Sequence, residues 1–137
     1  TSAPLHPQSP HPILATSTVS SMKKNVKFKG LLNYTVSCIS ELVTPPNPNI
    51  RDNAHALKNC GGIKILIEAL KNHGNDEELL ALVSRTLEKC GCDSSMIASM
   101  ASNGAAKAVL APLDEHPEYA EGRVAAVRLV RKVRRLA

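Results

Sequence analysis

The chain has 137 residues, of which 43% are hydrophobic but only 2% aromatic, and its formal net charge is +5. At this length one domain is expected, burying roughly two-thirds of the surface its unfolded chain exposes, and no disulfide is required. With one Phe, two Tyr and no Trp, the core has to be built from Leu, Ile, Val and Ala, which argues against a sandwich of aromatic-rich strands and for helix packed on helix.

Residues 1–22, TSAPLHPQSPHPILATSTVSSM, are rich in Pro, Ser, Thr and His and carry no helical or strand period. Residues 1–26 are therefore read as a disordered or extended arm. The chain starts at Thr1, so it is expected to be a fragment or a processed product. An acid-free, Ser-rich leader resembles an organellar transit peptide, although this one has no Arg.

From residue 27 the pattern turns helical. KGLLNYTVSCISELV places Leu31, Leu32, Thr35, Cys38, Ile39 and Leu42 on one broad face. TPPNPN stops that helix, because prolines remove donors and bar the α region to the residues before them. A short helix over about 50–59 follows, and CGG ends it with a residue able to turn left-handed. In GGIKILIEAL, Ile63, Leu66, Ile67 and Leu70 recur at helical spacing, and NHGND breaks the chain again. Asp76 is a natural N-cap for the next helix, about 76–91, with Glu77 and Glu78 favourable in its first turn. That helix is expected to bury Leu79, Val83, Leu87 and Cys90. The final helix, RVAAVRLVRKVRR, sets Val124, Val127, Val130 (or Leu129) and Val133 on one side and Arg elsewhere.

An internal echo organises these pieces. CGGIKILIEALKNH (60–73) lies over NGAAKAVLAPLDEH (103–116) at an offset of 43, pairing Gly61 with Gly104, Lys64 with Lys107, Leu70 with Leu113 and His73 with His116. SRTLEKC (84–90) lies over VRLVRKV (127–133) at the same offset. LLNYTVSCISEL (31–42) lies over LLALVSRTLEKC (79–90) without a gap. The unit is a short helix, a Gly, a middle helix, a loop and a long helix.

This unit resembles the armadillo repeat family. Three helices in about this length match its repeat, and GGIKILIEAL resembles its middle helix, G-x-I-P-x-L-V-x-L-L, with Lys64 at the Pro position. ELLALVSRTLEKC is similar to its third helix. HEAT repeats are the alternative. The resemblance covers residues 31–135 and implies an all-α, right-handed α-solenoid. The domain then runs over 27–137: a leading long helix at 27–43, one full repeat at 50–91 and a second at 94–135. It also implies a non-enzymatic protein-binding scaffold with the long helices lining a concave wall.

In importin-α-like members, a Trp and an Asn four residues later clamp a basic peptide. Here Ser37, Arg85 and Arg128 stand at the Trp position and Glu41, Lys89 and Lys132 at the Asn position. The swap resembles β-catenin-like grooves, so Arg85, Lys89, Arg128 and Lys132 are the candidate partner-binding residues, for an extended acidic protein segment. A basic C-terminal helix also has a nucleic-acid or anionic-membrane reading, but the aromatic platforms for single strands are missing.

The remaining chemistry is sparse. Cys38, Cys60, Cys90 and Cys92 are read as reduced thiols of an intracellular protein, with Cys38 and Cys90 in the core and Cys90-x-Cys92 too closely spaced for a zinc knuckle by itself. His73 and His116 occupy equivalent loop positions, and His55 is read as structural. No nucleophile, base and orienting acid come together in sequence, so no enzyme activity, cofactor or metal is expected. The expected compartment is the cytoplasm, with the mitochondrion as alternative. The runner-up function is an accessory subunit of a larger, possibly mitochondrial, assembly.

Overall fold

The computed structural model describes residues 29–136, and within them the fold is all-α: seven helices and no strand. These are α1 (Lys29–Leu42), α2 (Ile50–Asn59), α3 (Gly62–Asn72), α4 (Glu77–Cys90), α5 (Ser94–Ser102), α6 (Ala105–Glu115) and α7 (Ala120–Leu136). The N-terminal arm, the predicted helix start at 27 and the side chain of Leu31 lie outside the described residues.

The 43-residue echo recurs in the backbone. Gly61 (φ +83) and Gly104 (φ +75) take the left-handed conformation as N-caps of α3 and α6. Cys60 N–H donates to Ala56 O and Gly61 N–H to Lys58 O, as Asn103 does to Ser99 and Gly104 to Ala101. At the other end of each middle helix, His73 N–H donates to Ala69 O and His116 N–H to Pro112 O. The glycines serve conformation alone: a Cβ built on either would meet nothing within 4 Å. Only a residue without a Cβ reaches positive φ cheaply.

Side-chain caps start the next helices. Asp76 accepts the Leu79 N–H at 3.3 Å and Asp93 accepts the Met96 N–H at 3.0 Å. Each such cap is worth about 1 kcal/mol. Tyr119 stands 43 residues after Asp76 without a capping oxygen. Its hydroxyl instead donates to Asn75 O at 2.8 Å, tying the start of α7 to the start of α4.

Packing joins like to like. The most extensive contact is between α4 and α7, while α1 packs on α4, α2 on α5 and α3 on α6. Tyr119 to Asn75, Gly122 N–H to Glu77 Oε2 and Lys132 Nζ to Glu88 O connect α4 and α7 from one end to the other, at separations of 44 or 45 residues. The two helices therefore run parallel and in register. Gly122 packs tightly on α4: a Cβ there would sit 3.0 Å from Leu80 Cδ2.

The core is aliphatic throughout, with Leu32, Ile39, Leu57, Leu66, Leu79, Leu87, Met96 and Leu129 among its fully buried members. Each such side chain contributes about 1.5–3 kcal/mol relative to exposure. α4 buries Leu79, Val83, Leu87 and Cys90 as its period implies, and also Leu80, Ala81, Ser84 and Thr86, because helices cover it on more than one side.

Two apolar faces are rotated from their expected positions. α1 buries Leu32, Thr35, Val36 and Ile39, with Val43 buried just after its end, and leaves Cys38 and Leu42 half-buried. Cys38 is thus not a core thiol. On α7, Val124 is 56% exposed and Val127 half-buried, while Ala125, Ala126, Leu129, Val130 and Val133 are buried. The small alanines turn inward there because α7 has to fit closely against α4 at one flank and α5 and α6 at the other.

Candidate partner-binding site

The candidate cations lie on the two long helices that pack together. On α4, Glu78, Leu82, Arg85 and Lys89 follow at i, i+4, i+7 and i+11, one stripe of a 3.6-residue helix. On α7, Glu121, Ala125, Arg128 and Lys132 repeat that stripe 43 residues later. Arg85 Nη1 reaches across to Glu121 Oε1 at 3.2 Å, and Lys132 Nζ reaches back to Glu88 O at 2.7 Å. These two crossings fix the stripes as neighbours and place Arg85 and Lys132 where α4 and α7 meet, with Lys89 and Arg128 on the same two stripes.

Their charges are not equally available. The Arg85–Glu121 pair is open to solvent, its side chains 42% and 73% exposed, and such pairs hold by less than about 1 kcal/mol. A partner carboxylate can displace it. Lys132 is half-buried and donates to a carbonyl of the last turn of α4, where a cation also suits the helix dipole. Its first role is to hold α7 to the end of α4. Arg128 is exposed and Lys89 half-buried, and neither makes an ion pair or hydrogen bond among the described residues. The other solvent-facing cations of α7 are Arg123, Arg131, Arg134 and Arg135, against Glu121 as its one acid.

The third long helix differs. On α1, Ser37 is exposed and donates its hydroxyl to Asn33 O at 2.9 Å, and Glu41 is exposed. Tyr34, 71% exposed, shares that face. The cationic stripe therefore begins at α4.

The histidines of the loops are helix ends. His73 and His116 are the C-terminal caps of α3 and α6. His116 also stacks on Tyr119, with centroids 4.6 Å apart, and its Nδ1 lies 3.3 Å from Glu118. All four cysteines are free thiols. Burial, and after it the nearby Cys92, pushes the Cys90 thiol up to about 12, so it stays protonated and unreactive at neutral pH. Glu77, in the first turn of α4, is half-buried and accepts the Gly122 N–H.

One cluster escaped the sequence reading. His55 Nε2 lies 2.7 Å from Asp93 Oδ2, and Arg51 Nε lies 3.3 Å from the same oxygen. The His55 hydrogen bond, then the Met96 amide, hold the Asp93 carboxyl down at about 2. The exposed Cys92 thiol completes a group with His55 and Asp93 whose potential ligand atoms all lie within 4.8 Å of one another. Partial burial, and after it the Asp93 charge, raises that thiol. These residues come together because α2 packs on α5. The usable signal was the period itself, which implies that one short helix packs on the next without naming the residues that meet.

The chain matches no known family model, no curated protein and no solved structure. Among the described residues no helix is long and apolar enough to cross a membrane.

Proposed function

We propose that this chain is a short array of armadillo-type repeats, a right-handed α-solenoid, acting as a non-enzymatic protein-interaction module. In this reading the seam between α4 and α7 binds an extended acidic protein segment. The observation that carries it is the parallel, in-register packing of α4 on α7, which sets cations from two successive units side by side. Arg128 and Lys89 make the first contacts. Arg85 joins by exchanging Glu121 for a partner carboxylate, and Lys132 adds charge from its fixed position. Stacked helical units present such extended walls to extended partners, and a row of like charge speeds the encounter with an acidic chain.

The test is fluorescence anisotropy of a labelled, extended Glu/Asp-rich peptide against the wild type and the R128E and K89E variants. Binding that weakens at least tenfold in each variant, with a Lys-rich peptide failing to bind, supports the assignment. Equal binding by wild type and both variants rejects the seam.

An accessory role in a larger assembly is favoured by one feature, the exposed Tyr34 on α1. Aromatic residues are enriched at protein interfaces. If that role holds, the chain recovered alone self-associates on sizing chromatography, and Tyr34→Ser restores a monomer.

A further inference from the structure

The cluster at the α2–α5 junction brings together three side chains of different metal-binding chemistry. His55 contributes an imidazole nitrogen from α2. Cys92 contributes a sulfur from the turn after α4, and Asp93 a carboxylate oxygen from the N-cap of α5. Their spacing, within 4.8 Å throughout, is that of groups able to meet on one ion after side-chain adjustments of about an ångström.

Three features make this more than three polar neighbours. The Asp93 carboxylate is already aimed, because its other oxygen, Oδ1, is held by the Met96 N–H at 3.0 Å; an outer bond of that kind orients a metal ligand. The Cys92 backbone is fixed by its N–H to Cys90 O at 2.8 Å. The cation paired with Asp93, Arg51, is 74% exposed and can swing into solvent when an ion takes its place.

We propose that His55, Cys92 and Asp93 form a binding site for a zinc-type divalent cation, against the expectation from sequence that the chain binds no metal. A nitrogen, sulfur and carboxylate donor set suits Zn²⁺ over Mg²⁺ or Ca²⁺, which take oxygen ligands. Binding replaces the His55–Asp93 hydrogen bond by two bonds to the ion; the proton that Nε2 directs at Asp93 exchanges through solvent to Nδ1, leaving a neutral imidazole with Nε2 free to ligate, and the Cys92 thiol proton is released to solvent. Three protein ligands leave a fourth position of a tetrahedral ion for water. The ion clamps α2 of one unit to α5 of the next, so its effect is to stiffen the junction between units. The site lies next to the end of the cationic seam, where the Lys132 charge acts on Cys92, but the proposal does not depend on the seam's function.

The test is titration of the reduced, chelator-treated chain with Co²⁺, followed by its thiolate-to-cobalt charge-transfer absorption, and then with Zn²⁺ as competitor. Expected are a band that saturates at one equivalent, its loss on adding Zn²⁺, and a rise in Tm with Zn²⁺. Cys92→Ser abolishes the band. His55→Gln and Asp93→Asn each weaken binding at least tenfold, the asparagine still able to cap α5. Cys60→Ser leaves binding unchanged. Circular dichroism checks that each variant is folded. No band in the wild type overturns the proposal, as does a band that survives Cys92→Ser. A band lost in Cys92→Ser but untouched by both His55→Gln and Asp93→Asn also overturns it, since a lone exposed thiol would then be the ligand.

Discussion

Replacing Gly61 or Gly104 by Ala tests the repeat at its most specific point. Both glycines sit at positive φ, +83 and +75, at the same place in the unit. A Cβ at either meets nothing within 4 Å, so no steric clash enters and the whole penalty is conformational. The left-handed region costs an L-residue about 1–2 kcal/mol. For a chain of this size that lowers Tm by roughly 3–10 °C. Asn tolerates the region better than Ala, so Gly61→Asn and Gly104→Asn lose less. The two sites share no partner, so the double Ala variant loses the sum, about 2–4 kcal/mol. Urea denaturation followed by far-UV circular dichroism measures each value, with the dependence on urea concentration unchanged. If either Ala variant is neutral, or if the two single variants differ by more than about 1 kcal/mol, the two turns are not equivalent and the reasoning fails.

Lys132→Met removes a half-buried charged donor from the last turn of α4 and is expected to lower stability by about 1–2 kcal/mol in the same assay. Arg128→Ala, at an exposed side chain with no partner among the described residues, stays within about 0.5 kcal/mol. Equal losses from the two would show that Lys132 does not anchor α7. Asp76→Ala removes the cap of α4 and costs about 1 kcal/mol or more, because Asn33 Nδ2 also donates to that carboxylate at 3.4 Å. Under native conditions a thiol reagent labels Cys92 rapidly, whereas Cys90 is labelled only at the rate of unfolding; fast labelling of Cys90 would contradict its burial. Burial holds the proton on the Cys90 thiol in the folded state up to about 12, against an ordinary thiol value of 9.0. Between those values the unfolded chain binds fewer protons than the folded one. The contribution of Cys90 is therefore complete below about pH 9 and falls by about 1.4 kcal/mol per pH unit above it. Cys90→Ala should remove that part of the alkaline decline, which a pH series of urea midpoints would reveal.

What the sequence determined by itself was whatever depends on near neighbours along the chain. Helical periods, proline stops, Asp76 as a cap and the left-handed glycines are local preferences, and the 43-residue echo repeats them, so α2, α3 and α4 fall close to their expected bounds. Tertiary structure decided which way each amphipathic face turns. Val36 and Val43 took the inward positions expected for Cys38 and Leu42, and Ala125 and Ala126 displaced Val124, because the helices covering α1 and α7 choose the buried arc. It also divided the four candidate cations. All four looked alike in register, yet Lys132 anchors a carbonyl, Arg85 meets Glu121, and Arg128 and Lys89 remain available. The meeting of His55, Cys92 and Asp93 was likewise a tertiary matter. His55 joins Cys92 and Asp93, 37 and 38 residues further on, only when α2 and α5 pack together, and the spacing of residues along one helix does not contain that contact.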